Sequence, residues 1–209
     1  MQNTKEMYLE EGYIFHIYNQ GNNRQKIFFR RENYYFFMRK IKTFILPYAD
    51  ILAWCLMPNH FHLMVLVNKI KVVPAESERV TRSHPLTPRT LNDSVAIMLR
   101  SYTRAINKQE NRTGALFRER TKSECVNCPE GIAPSFFTVN GVTEINIELP
   151  ERQYPQVCFN YIHKNPVKAG LVKKPENWEF SSAAAYAGLK DDELINKETA
   201  KKYIEIVSG

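Results

Sequence analysis

No stretch of this 209-residue sequence approaches the roughly 18 to 20 consecutive apolar residues that a membrane-crossing helix needs. The opening segment, Met1 to Glu11, is polar and holds no signal-peptide core. The chain is therefore expected to be soluble and cytoplasmic. Cysteine is scarce: Cys55, Cys125, Cys128 and Cys158 are all there is, and without an export signal reduced thiols are the expectation. Cys125 and Cys128 have the two-residue gap of a zinc knuckle, but the second ligand pair a knuckle requires is missing. No internal repeat is visible. What is present, 44% hydrophobic and 12% aromatic residues, is the composition of one globular domain over residues 1–209.

The net charge is +7, and its distribution says more than its size. Residues 22–42 carry +6 and residues 100–122 carry +5, so the remainder is acidic at −4. Positive charge concentrated in this way suits a polyanion such as nucleic acid. Solvated helix faces would be the plain alternative. The candidate contacts are Arg24, Lys26, Arg104, Arg112, Arg118, Arg120 and Lys122, with nearby Tyr and Phe rings available to stack on bases.

Residues 12–20 (GYIFHIYNQ) are β-branched and aromatic, and they run into Gly21-Asn22-Asn23, a strand and then a turn. From 32 to 46 the period becomes helical, with Tyr35, Met38, Ile41, Phe44 and Ile45 on one face and Pro47 as the stop. Ile51 to Met57 reads as a strand, Pro58-Asn59 as a tight reversal, and His60 to Val67 as the antiparallel return. Residues 68–89, which include His84 and three prolines, read as a mobile connector. Leu91, Val95, Met98, Leu99, Tyr102 and Ile106 then line one face of a helix whose other side carries Arg100, Arg104 and Lys108. That helix is expected to end at Arg112-Thr113-Gly114, with a strand from Ala115 to Cys125.

Asn140-Gly141 between alternating residues marks an inserted hairpin within 126–150. A helix over 151–165 should stop at Pro166 and Gly170. Over 175–209 a helical extension is expected: a short helix at SSAAAYAG and a polar terminal helix from Asn196 to Val207. The order strand, helix, strand, strand, helix, strand, helix implies an α+β fold of the ferredoxin-like split βαβ type, a central antiparallel sheet with helices against it.

Two of only five histidines stand in MPNHFHLMV, residues 57–65. On a strand His60 and His62 point to one side while Phe61, Leu63 and Val65 point to the other. Paired imidazoles are half a metal site. Two core histidines, each satisfied by its own hydrogen bond, are the alternative, and that reading must explain two polar insertions in an apolar run. A third ligand is offered by Asn165, which stands one helical turn from Tyr161. Two imidazoles and an amide oxygen suit Mg²⁺ or Mn²⁺. A phenol is a poor nucleophile at its ordinary pKa near 10, but beside a divalent cation and a phosphodiester it gains a use, forming a phosphotyrosine.

His60-Phe61-His62 resembles the His-hydrophobic-His (HUH) motif of single-tyrosine transposases. YNQGNNRQKIF (18–28), CLMPNHFHLMV (55–65), SYTRAINKQENRTGALFRERTKS (101–123), NYIHKNPVKAGLV (160–172) and WEFSSAAAYAG resemble, in order, the REP-associated tyrosine transposases. The resemblance implies a catalytic set of Tyr161, His60 and His62, with metal ligands His60, His62 and Asn165. It also implies cleavage of single-stranded DNA next to a small hairpin, leaving a 5′-phosphotyrosine and a free 3′-hydroxyl. Residues 126–150 are longer than the link expected before the tyrosine helix, so that helix could serve its own subunit or a neighbour's, in a monomer or a homodimer. His163, two positions from Tyr161, points elsewhere on a helix and is assigned no catalytic role. Such a protein would be nucleoid-associated. A domesticated, non-catalytic nucleic-acid-binding protein is one alternative. A replication initiator or relaxase-like nickase is another, though those enzymes usually bring further domains.

Overall fold

The computed structural model describes residues 9–73, 87–128, 136–139, 142–145 and 150–206. β1 (Ile14–Gln20) is paired antiparallel with β3 (His60–Val67) on one side and with β6 (Lys122–Cys125) on the other. β2 (Ala49–Met57) closes the far flank of β3, giving the order β2-β3-β1-β6. β1 and β2 thus run parallel with β3 between them, and α1 (Arg31–Phe44) makes the crossover of a split βαβ unit. α2 (Leu91–Gln109) makes the second crossover, from β3 to β6. The expected ferredoxin-like arrangement is the observed one.

Strand alternation divides the sheet into two cores. Phe15, Ile17, Phe61, Leu63 and Val65 pack with Phe37 and Ile41 of α1 and with Val95, Met98, Tyr102 and Ile106 of α2. Ile14, Met64, Ala53 and Cys55 pack on the opposite side with Cys158, Phe159 and Ile162 of α3 (Pro150–Lys168). Trp54 and Tyr102 are fully buried, and each finds a partner for its polar end: Trp54 Nε1 donates to Asp192 at 2.8 Å and Tyr102 Oη to the Ile27 carbonyl at 2.8 Å. Burying each such ring contributes about 2–3 kcal/mol.

The turn after β1 is held closely. A Cβ on Gly21 would lie 2.1 Å from the Gln25 carbonyl oxygen, so only glycine fits there. Asn23 and Arg24 follow in the left-handed region, at φ 51° and 58°, a conformation that costs Arg24 on the order of 1 kcal/mol. The Pro58-Asn59 reversal compensates with hydrogen bonds: Gly21 N donates to Asn59 O (2.8 Å), Ile27 N to Pro58 O (2.8 Å) and Asn59 Nδ2 to Arg24 O (3.2 Å).

Several expectations are corrected. On α1 the buried face is Tyr34, Phe37 and Ile41, while Tyr35 is exposed and its hydroxyl donates to Glu179. Only Lys122–Cys125 of the expected strand 115–125 forms a ladder. Upstream of it Arg118 N donates to Gln20 O, and the Asn19 side-chain amide takes Arg118 O and Thr121 Oγ1 as acceptors in place of a backbone partner. The ends of the 68–89 connector are tied by β4 (Lys71–Val72) pairing with β5 (Arg89–Thr90). His84 and the rest of that segment lie outside the described residues. The inserted hairpin exists as β7 (Phe136–Val139) and β8 (Val142–Ile145), with Val139 opposite Val142; the Asn140-Gly141 tip lies outside the described residues.

α3 does not stop at Pro166. It continues to Lys168, and Gly170 at φ +69° closes it with Leu171 N donating to Pro166 O at 2.9 Å. One lost hydrogen bond in the last turn is tolerable where the helix is ending anyway. The extension forms α4 (Ala183–Tyr186) as expected, but the terminal helix shrinks to α5 (Lys197–Ala200), followed by turns. Cys125 and Cys128 are joined in a disulfide, against the expectation of reduced thiols; their Cα atoms are 5.8 Å apart, within the bonding range, while Cys55 and Cys158 are free and buried.

Candidate functional site

Because β3 alternates, His60 and His62 emerge on the α3 side of the sheet while Phe61 and Leu63 enter the opposite core. His60 ends its strand and is half-buried; His62, one step inward, is 4% exposed. Their ring centroids are 4.9 Å apart. α3 packs against β2 and β3 of its own chain and carries Tyr161 to within 5.4 Å of the His62 ring, edge to face. Tyr161 is 40% exposed, at the mouth of the site. Asn165, one turn on, donates from Nδ2 to the Tyr161 carbonyl at 2.9 Å, and its side chain lies beside His60.

These four residues line a cleft of about 370 Å³. Its remaining wall consists of Tyr18, Asn19 and Gln20 from β1 with Arg118, Arg120 and Lys122 from the segment entering β6. Tyr18 stands opposite Lys122 in the ladder, and Arg118 and Arg120, just upstream of it, line the same cleft. Lys168 adds a cation 5.2 Å from the Tyr161 ring centroid.

Both imidazole rings have Nδ1 engaged. His60 Nδ1 meets Asn59 Oδ1 at 2.7 Å, and His62 Nδ1 meets His16 Nε2 at 2.9 Å. His62 Nε2 is buried with no partner. Burial lowers the His60 pKa, opposed by the Asn165 hydrogen bond; burial first, then the neighbouring His16 and His60, puts His62 well below the ordinary value. His16 is pushed down to about 4 by burial, with Glu124 opposing. All three rings are therefore neutral at neutral pH, the state in which a histidine ligates a metal.

Tyr18 is the second phenol of the cleft. Its hydroxyl donates to Glu124, and burial together with that bond raises its pKa beyond the phenol range. Tyr18 is thus kept protonated. Tyr161 is the other phenol of the cleft.

Among the described residues no group of three or more His, Cys, Asp or Glu side chains is placed to hold a metal ion. A divalent ion at this site would need Asn165 as its third protein ligand. The donor set of two neutral imidazoles and an amide, with one buried nitrogen lacking any partner, fits Mg²⁺ or Mn²⁺.

The other basic candidates lie elsewhere. Arg104 is exposed on α2, which packs on the sheet face away from the cleft. Arg112 donates to Gln25 Oε1 at 2.7 Å, while Arg24 and Lys26 are exposed around the Gly21 turn. His163 faces away from the cleft, its Nε2 2.7 Å from Ser182 Oγ. Sequence reasoning passed over His16, Tyr18, Glu124 and Lys168. The available signal was parity: His16, Tyr18 and Gln20 share one face of β1, while Phe15 and Ile17 share the other.

No protein-family model matches the sequence, and no curated protein matches it significantly. Among solved structures, one of a REP-associated tyrosine transposase bound to a REP hairpin is similar, with a TM-score of 0.54 over 94% of this chain and 98% of that one. The two sequences are 14% identical, so the similarity is one of fold. Among the described residues no helix is long and apolar enough to cross a membrane.

Proposed function

We propose that this cleft cleaves single-stranded DNA and transfers the strand, as a transposase does, through a covalent bond to Tyr161. The carrying observation is that one cleft holds Tyr161, 5.4 Å from the His62 ring, together with His60, Asn165 and the cations Arg118, Arg120 and Lys122. A fold shared with a tyrosine transposase bound to a REP hairpin supports single-stranded DNA beside a hairpin as the substrate.

His60, His62 and Asn165 would hold Mg²⁺ or Mn²⁺. When bound, that cation polarises the scissile phosphate. Arg118, Arg120 and Lys122 hold the flanking phosphates, and Lys168 keeps positive charge near the tyrosine. Tyr161 Oη attacks phosphorus: the O–P bond forms, the bond to the 3′ oxygen breaks, the phenol proton passes to solvent, and the departing oxygen takes one up as a free 3′-hydroxyl. The phosphotyrosine is still a diester, so a later 3′-hydroxyl can attack it and rejoin strands without ATP.

Incubation with single-stranded DNA from the flanks of the chain's own gene, with Mn²⁺ or Mg²⁺, should give a protein–DNA adduct that survives denaturing electrophoresis and is lost on chelation. Binding without an adduct would leave the non-catalytic reading, and nicking without strand transfer would favour the nickase. Replacing Arg118 and Arg120 together with alanine should weaken binding and reduce the slope of log affinity against log salt by about 1.4, about 0.7 for each lost phosphate contact on a single strand. An unchanged slope would remove both residues from the DNA path.

A further inference from the structure

Both histidines of the β3 pair use the same nitrogen, Nδ1, to meet a neighbour, and the two neighbours come from different parts of the chain. The Asn59 amide faces His60 Nδ1 with its oxygen and the Arg24 carbonyl with its nitrogen. A backbone carbonyl only accepts, so the NH₂ group must be the end turned to Arg24, and the oxygen is left to accept from His60. His60 then carries its proton on Nδ1 and its lone pair on Nε2, beside Asn165. His62 leads to the same place by another route. Its Nε2 is buried without a partner. Orphaned buried N–H groups are rarer in folded proteins than under-satisfied acceptors, so the lone pair is the one left there. Nδ1 of His62 is therefore the donor, and His16 Nε2, 2.9 Å away, is the acceptor.

We infer that His16 and Asn59 are positioning residues, fixing His62 and His60 in the Nδ1–H tautomer with both Nε2 lone pairs turned to the site of a divalent cation. The inference rests on the metal site proposed above for its consequence, and on hydrogen-bond geometry for its cause. The arrangement is one in which the ligand's other ring nitrogen is held by the protein, which raises ligand basicity and fixes ring orientation.

Each device depends on something the fold supplies. His16 reaches His62 because β1 and β3 are adjacent and Tyr18 stands opposite His62, which puts His16 one same-face position away on the diagonal, with the two rings stacked at 5.0 Å. Asn59 can present its oxygen only while the Arg24 carbonyl occupies its nitrogen, so the left-handed pair Asn23–Arg24 becomes part of the device. The turn after β1 and the orientation of His60 are thereby linked through one amide.

The test uses the full chain with ¹⁵N-labelled histidine, metal-free and above pH 7.5, read by long-range ¹H–¹⁵N correlation, together with calorimetric titration of Mn²⁺. In the unmodified protein both rings should show the Nδ1–H pattern. Asn59→Ala should release His60 alone into mixed tautomers and His16→Phe should release His62 alone, each weakening Mn²⁺ binding by about 10- to 100-fold. Asn59→Asp and His16→Gln, which keep an acceptor in place, should restore the tautomer and most of the affinity. They also separate loss of the acceptor from loss of folding. Unchanged tautomers in Asn59→Ala and His16→Phe, or Mn²⁺ affinity equal to that of the unmodified protein in both, would overturn the inference. If the unmodified protein binds no Mn²⁺, the metal reading falls, and the tautomer patterns still decide whether His16 and Asn59 set the rings.

Discussion

Tyr161→Phe is expected to abolish the denaturation-resistant protein–DNA adduct, lowering its rate of formation by at least about 10⁴-fold, the scale on which a covalent nucleophile acts. Single-stranded DNA binding should persist, because the ring, its edge contact with His62 and the cation of Lys168 beside it all remain. Tyr18→Phe is the matching control. Tyr18 lines the same cleft, but its hydroxyl is committed to Glu124 and its pKa is raised, so the adduct should still form. An adduct that survives Tyr161→Phe and disappears in Tyr18→Phe would move the nucleophile from α3 to β1 and end the mechanism as drawn.

The second large effect is acid lability. His163 is 6% exposed, enclosed by the Phe159 and Tyr186 rings and bonded to Ser182 Oγ, and burial pulls its pKa from 6.5 down to about 3. A histidine kept neutral in the folded state takes up a proton more readily when unfolded. Its contribution is therefore fully present above about pH 6.5 and is lost as the pH falls from there toward 3. At 1.4 kcal/mol per pH unit, His163 alone removes about 2–3 kcal/mol between pH 6.5 and pH 4.5. His163→Gln can still bond Ser182 but does not titrate. Urea unfolding at a series of pH values should show the wild-type protein losing about that much more than the variant over this interval. Parallel profiles would show that His163 is not the group responsible.

The parts of the site that follow from period alone were legible in the sequence. His60 and His62 share a face because a strand repeats every two residues, and Tyr161 and Asn165 share one because a helix returns after four. Element order was enough to give the split βαβ sheet. What the sequence hid depends on register or on competition between partners. That His16 meets His62 depends on which residue of β1 faces which residue of β3, and no local pattern carries that. Tyr34 and Tyr35 differ by one helical step, and the amphipathic pattern of α1 did not decide which of two adjacent tyrosines is buried. Pro166 marked a helix end one turn early because its missing N–H forfeits a single bond near the end of the helix, too little to stop it. The 115–121 segment has strand composition, but the side-chain amide of Asn19 occupies the Arg118 carbonyl, an acceptor that a ladder would use.

β1 has the place in the sheet that every other part of the site must find, lying between β3 and β6. The cleft therefore draws on positions spread from Tyr18 to Asn165. Contacts of such wide separation form late and slowly as a chain folds. During synthesis the histidine pair emerges about a hundred residues ahead of the tyrosine, the gap between His62 and Tyr161 in the sequence. A nascent chain thus contains its paired imidazoles well before it contains Tyr161, so the chemistry proposed above could begin only once α3 has been made.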